Sequence, residues 1–158
     1  PQRFVFSISG TTRSPRAGEI DGINYYFYSR SEFEQKRNLG MFLESAEYAG
    51  NLYGTPRSPV EAAIAQCKIV VLEIELEGAR QIARTFPNAQ KIFIAPPSMQ
   101  VLEQRLRIRN QDPESAIARR LSHAEIEMSA SEEFDLVIIN NNLEIALEEL
   151  EKAIFKSN

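Results

Sequence analysis

The chain has 158 residues, 43% apolar and 25% charged, with a net charge of −4 at pH 7. A chain of this size forms one domain that buries roughly two-thirds of its unfolded surface, and no apolar run nears the ~20 residues of a membrane span. The acidic balance argues against general nucleic-acid binding; one histidine with one cysteine excludes an internal disulfide and a Cys/His metal cluster and argues against a histidine-based triad.

No leader-like segment heads the sequence, and the lone Cys67 fits a reducing, cytoplasmic setting. Cys67 itself is expected to be a small buried apolar residue. The first run, Phe4–Ser9, reads as a strand. It leads into a hydroxyl-rich turn where Ser9, Thr11 and Thr12 accompany Arg13 and Arg16. A guanidinium is a rigid fork of donors that matches phosphate in two-point fashion, so this loop is a candidate anion cradle.

From Gly22 to Pro56 the pattern is aromatic and β-prone, broken by a helical piece near 31–39. It reads as an inserted β-rich subdomain. Ser58-Pro59-Val60-Glu61 then predicts a capped helix with proline at its first position. Continuous apolar runs predict further strands at Ile69–Leu76, Lys91–Ala95 and Phe134–Asn140, as in a parallel sheet covered on both faces. Ser98 can cap a helix carrying Val101, Leu102 and Leu106. Asp112-Pro113 opens another, and a last helix from Asn142 places Leu143, Ala146, Leu147, Leu150 and Ile154 on one face. Alternating strands and helices make the fold class α/β with a mostly parallel sheet.

These segments together resemble the guanylate kinase family of nucleoside-monophosphate kinases. The likeness is carried by Thr11-Thr12-Arg13-Ser14-Pro15-Arg16, Gly18-Glu19, Phe42-Leu43-Glu44, Tyr53-Gly54-Thr55-Pro56, Gly78-Ala79-Arg80, Pro96-Pro97-Ser98, the series Arg105, Arg109 and Arg120, and Phe134-Asp135 with Asn140. The resemblance implies a P-loop NMP-kinase-like parallel sheet with flanking helices, a β-rich GMP-binding insertion and an Arg-rich lid. It implies a core at 1–10, 56–105 and 120–158, a GMP-binding subdomain at 11–55 and a lid at 106–119.

It also implies roles. Ser9, Arg13, Arg16, Tyr25 and Tyr53 would hold the GMP phosphate. Glu44 would face the guanine edge, where a carboxylate accepts from N1–H and N2–H₂ together, and Thr55 would meet guanine O6. Glu73 and Glu75, expected on one face of a strand, match acidic positions near the base and Mg²⁺. Arg105, Arg109 and Arg120 would reach the ATP phosphates and the transferring phosphoryl group. Arg107 and Arg119 are expected on solvated helix surface, and Asn140 would contact adenine.

The implied reaction moves the ATP γ-phosphoryl to GMP, giving GDP and ADP, with Mg²⁺ accompanying ATP. GMP and ATP are the implied partners; neither nucleic acid nor membrane is expected. The family's Gly-x-x-x-x-Gly-Lys-Ser/Thr loop has no counterpart among these residues, whose first positions align just after the helix that follows it. That loop's amides and lysine cradle phosphates. The expectation is therefore an ATP:GMP phosphotransferase whose P-loop lies outside this sequence, the sequence alone being inactive. The alternatives are a non-catalytic guanylate-kinase-like module binding GMP or a phosphopeptide, and a structural remnant that binds nothing.

Overall fold

The opening apolar run forms β1 (Phe4–Phe6), three residues rather than six, paired in parallel with Ile69–Val71. The computed structural model describes residues 4–109 and 113–155. The chain divides into two compact units, Pro1–Ala89 and Gln90–Asn158.

In the first unit, β2 (Gly10–Thr11), β3 (Tyr26–Phe27), β4 (Phe42–Tyr48) and β5 (Asn51–Pro56) build a four-stranded sheet in the order β3-β2-β5-β4. Helix α1 (Arg30–Asn38) interrupts it near the expected place. Its start is set by a capping box: Ser29 accepts from the Glu32 N–H, and the Glu32 side chain returns to the Ser29 N–H. Ala49 and Gly50 both adopt positive φ, 50° and 83°, which makes the two-residue turn between β4 and β5 and fixes their register.

That register shifts between Phe42 and Glu44. The irregularity lets two successive apolar residues be buried in different places. Phe42 joins Phe33, Leu52 and Tyr28, while Leu43 joins Val60 and Ile82 with Val70, Leu72 and Ile74 packed around them. A bulge also re-aims the residue that follows it, here Glu44.

Helix α2 (Arg57–Ala65) begins ahead of the predicted Ser58 cap. Pro56 is its N-cap, and no side chain caps it. Pro59 is tolerated because N–H groups of a first turn lack helical partners anyway. Beyond α2, Cys67 has φ 56° and lies exposed, correcting the expected burial. The Lys68 N–H reaches the Ala63 carbonyl and the Cys67 N–H the Ile64 carbonyl, a left-handed cap in which glycine is usual.

Strand β6 (Ile69–Val71) stops short of the acidic residues, and helix α3 (Leu76–Thr85) follows. Glu73 and Glu75 therefore lie in the connection after the strand, not on a strand face. Carboxylates inside a buried apolar strand would be costly, and leaving the strand early spares that cost.

In the second unit, β7 (Ile92–Ala95) leads to α4 (Met99–Arg109), α5 (Glu114–Ser129), a short 3-10 turn at Ser131–Glu133, β8 (Leu136–Ile139) and α6 (Leu143–Phe155). β7 and β8 pair in parallel, Ile92 opposite Leu136 and Ala95 opposite Ile139. Ser98 caps α4 as expected, its Oγ accepting from the Val101 N–H at 3.2 Å. Asn142 does the same for α6 through Ile145. Asp112 lies outside the described residues.

Burial here departs from the expectation of two covered faces. Ala95 and Ile138 are buried, but Ile94, Val137 and Ile139 are exposed. On α6 Ala146 is buried whereas Leu143 and Leu147 are exposed. Each of these two strands has one hydrogen-bonded neighbour among the described strands, so an apolar run does not ensure coverage. Among the described residues no helix is long and apolar enough to cross a membrane.

Candidate active site

Two clusters in the first unit gather the sequence-predicted residues Glu44 and Thr55, and Arg13, Tyr25 and Tyr53. The first is the buried pair Glu44 and Thr55, which are register partners across β4 and β5. Glu44 is 5% exposed and Thr55 0%. The Thr55 hydroxyl donates to Glu44 Oε1 at 2.6 Å. Burial pushes the Glu44 carboxyl above its ordinary range, with the bonds from Thr55 opposing. The other oxygen, Oε2, lies over Gly78 in the first turn of α3, where the helix dipole favours an anion.

The second cluster surrounds Arg13. Its Nη1 and Nη2 donate to the two carboxylate oxygens of Glu19 at 3.0 and 2.8 Å, and Nη1 also donates to the Ser14 carbonyl at 2.7 Å. The guanidinium lies 5.3 Å from the centre of the Tyr25 ring and 5.9 Å from that of Phe27. Tyr25 and Tyr53 meet edge to face at 6.3 Å, and the Tyr53 side chain interacts with Arg13. Burial, then the nearby Glu73 charge, raises the Tyr25 phenol above its ordinary value.

Glu19 ties the loop further by accepting from the Arg16 N–H at 2.6 Å. Arg13 and the Arg16 N–H hold its carboxyl below the usual carboxylate range. Sequence reasoning gave Glu19 no role, although its spacing to Arg13 and Arg16 was a usable signal. The side chain of Arg16 is exposed.

Ser9 stands just before β2, and its carbonyl accepts from the Tyr26 N–H. Thr11 and Thr12 both accept backbone hydrogen bonds. Thr11, 0% exposed, accepts from the Arg13 N–H, and Thr12 Oγ1 accepts from the Leu52 N–H at 2.9 Å. Glu73 is exposed, and Glu75 is the half-buried N-cap residue of α3.

In the second unit Arg105 donates to the Asn140 carbonyl at 2.9 Å, so two predicted residues meet at the end of β8. Arg120 lies half-buried on α5. Arg107 and Arg119 are exposed, as expected, with Arg107 paired to Glu103 and Glu114. The side chain of Arg109 lies outside the described residues.

The fold is α/β and carries a buried carboxylate and a basic, tyrosine-lined loop, and comparison with known proteins names its class. A family model described as guanylate kinase matches residues 1–157. The guanylate kinase of a Synechocystis species is 58% identical over 151 residues, covering 96% of this chain and 79% of that protein. That of a Synechococcus species is 55% identical over 155 residues, covering 98% of this chain and 84% of its own length. Among solved structures, a guanylate kinase from Anaplasma phagocytophilum superposes with a TM-score of 0.86 at 33% identity, over 98% of this chain and 76% of that one.

The chain belongs to the guanylate kinase family. Its reaction class is that of an ATP:GMP phosphotransferase.

Proposed function

We propose that the two clusters of the first unit hold opposite ends of GMP, with Glu44 reading guanine and the Arg13 loop holding the phosphate. The observation that carries this reading is the buried Glu44 carboxylate. An acid shut away from solvent, with no cationic partner among the described residues and raised by desolvation, is costly unless something binds to it. Guanine supplies two adjacent N–H groups that match it; adenine does not. In this structure the Thr55 proton goes to Glu44, so Thr55 orients that carboxylate, and a bond to guanine O6 requires the hydroxyl to turn.

The geometry of Arg13 points the same way. A guanidinium carries five N–H donors. Glu19 takes the end-on edge and the Ser14 carbonyl a third donor. The remaining pair, Nε–H and the second Nη2–H, form a side edge suited to two phosphate oxygens. Tyr25 and Tyr53 lie beside it, and Ser9 and Arg16 complete the proposed phosphate-binding set. Glu73 and Glu75 would border the nucleotide, which their position between β6 and α3 supports.

Within the second unit, Arg105, Arg109 and Arg120 are proposed to meet the ATP phosphates and Asn140 the adenine. The supports are family membership and the Arg105–Asn140 contact. Neutralising phosphate charge is most of what phosphoryl transfer asks of a protein, and the attacking GMP oxygen needs no general base. We further propose a core at 1–10, 56–105 and 120–158, a GMP-binding subdomain at 11–55 and a lid at 106–119. The sheet spanning residues 10–56 supports the second of these.

Mg²⁺ is proposed as the companion of ATP. Among the described residues no group of three His, Cys, Asp or Glu side chains could hold a metal ion. A cytoplasmic location is proposed for the same chain, supported by its single free cysteine.

The test is calorimetric titration with GMP and AMP. GMP binding that exceeds AMP binding and collapses in Glu44→Gln is expected. A Glu44→Gln protein that binds GMP unchanged refutes the reading, and capture of a phosphoserine peptide in place of GMP favours the non-catalytic module.

A further inference from the structure

Strand β4 is the outer member of its sheet, with β5 as its one strand neighbour. Among the described residues, the Gln81 side chain of α3 hydrogen-bonds to its open side, while Ile82 packs against Leu43. The Ser45 N–H donates to Gln81 Oε1 at 3.1 Å, and Gln81 Nε2 donates to the Ser45 carbonyl at 3.0 Å. The Gln81 carboxamide thus does for Ser45 what the peptide group of another strand would do.

The consequence lies one residue earlier, at Glu44. One turn before Gln81, α3 presents Gly78. A Cβ there would stand 2.5 Å from Glu44 Oε2 and 3.0 Å from Glu44 Cδ, so the carboxylate fills the space a side chain would need. Thr55 holds Oε1 from the opposite strand. Helix α3 therefore seats the carboxylate at Gly78 and pins the backbone that carries it at Gln81. Without that pin, β4 beyond its register shift has one hydrogen-bonded side only.

We propose that Gln81 is a positioning residue for base selection: through Ser45 it fixes the orientation in which Glu44 presents its lone pairs. This rests on Glu44 being the carboxylate that reads guanine. Accepting two parallel N–H groups demands alignment of the carboxylate plane, whereas a single N–H tolerates a tilt. A loosened Glu44 therefore penalises GMP more than IMP, whose hypoxanthine offers N1–H but no amino group.

The experiment is calorimetric titration of the protein and its variants with GMP and IMP. Gln81→Leu removes both bonds to Ser45. It should weaken GMP binding about tenfold and IMP binding less than about threefold, narrowing the preference. Gln81→Glu still accepts from the Ser45 N–H but sets a carboxylate oxygen against its carbonyl; it too should narrow the preference, and it gives the readout if the leucine variant does not fold. Folded Gln81 variants that keep the wild-type GMP-to-IMP ratio, including variants that weaken both ligands equally, overturn the proposal. Glu44→Gln is measured alongside. If it loses the preference while the Gln81 variants keep it, the Gln81 role alone fails. If Glu44→Gln keeps the preference, the reading of guanine by Glu44 fails and the Gln81 role fails with it.

Discussion

The Thr55 hydroxyl donates to the Glu44 carboxylate at 2.6 Å in a place where both side chains are shut off from water. One hydrogen bond does not replace the hydration a carboxylate loses on burial. Holding the charged carboxylate there costs stability.

Glu44→Gln should therefore separate stability from binding. The Glu44 carboxyl is raised above its ordinary value in the folded protein. The stability a raised carboxyl contributes is present below its unfolded pKa and lost as pH rises through the folded one. At neutral pH the charged Glu44 is a burden that glutamine lacks. Thermal melts should show Glu44→Gln equal to wild type near pH 4 and more stable at pH 7.5, by about 1 kcal/mol. A variant less stable than wild type at pH 7.5 would contradict the buried-charge account.

Arg13→Lys should cost binding with little cost in folding. Lysine cannot face Glu19 end-on and phosphate side-on at once, so GMP affinity should fall by about 1–3 kcal/mol. Glu19 supplies a second readout. Arg13 holds its carboxyl below the usual range, so in Arg13→Lys the Glu19 titration followed by NMR should move up. Unchanged affinity would take Arg13 out of the phosphate site.

Much of this was legible from residue order. Ser98 and Asn142 announced helix starts because a short polar side chain before a periodic run has one common use there. Arg13 and Arg16 stand out on their own as an anion cradle, whereas Glu44 and the series Arg105, Arg109 and Arg120 take their roles from the family resemblance. Other features were hidden for physical reasons. The Ser58 box misled because Pro56, already locked near helical φ, starts α2 earlier. The register shift at Leu43 leaves no mark on an apolar run. Gln81 acts on a group that folding brings near across 36 residues, and a glutamine is not unusual on a helix.

Cys67→Gly should stabilise the protein and leave ligand binding unchanged. Cys67 occupies the left-handed cap of α2 at φ 56°, where an L side chain crowds its own backbone and glycine does not. The expected gain is up to about 1 kcal/mol in a denaturant melt, after glycine's entropy cost is subtracted. A loss of stability would show that the cysteine side chain contributes packing there.

The central claim is met most directly by a structure of this protein bound to GMP. It should place the guanine N1 and N2 nitrogens within hydrogen-bonding distance, about 3 Å, of the Glu44 carboxylate, with phosphate oxygens on the Nε–Nη2 edge of Arg13 beside Tyr25 and Tyr53. A base turned away from Glu44, or a phosphate held without Arg13, would contradict it.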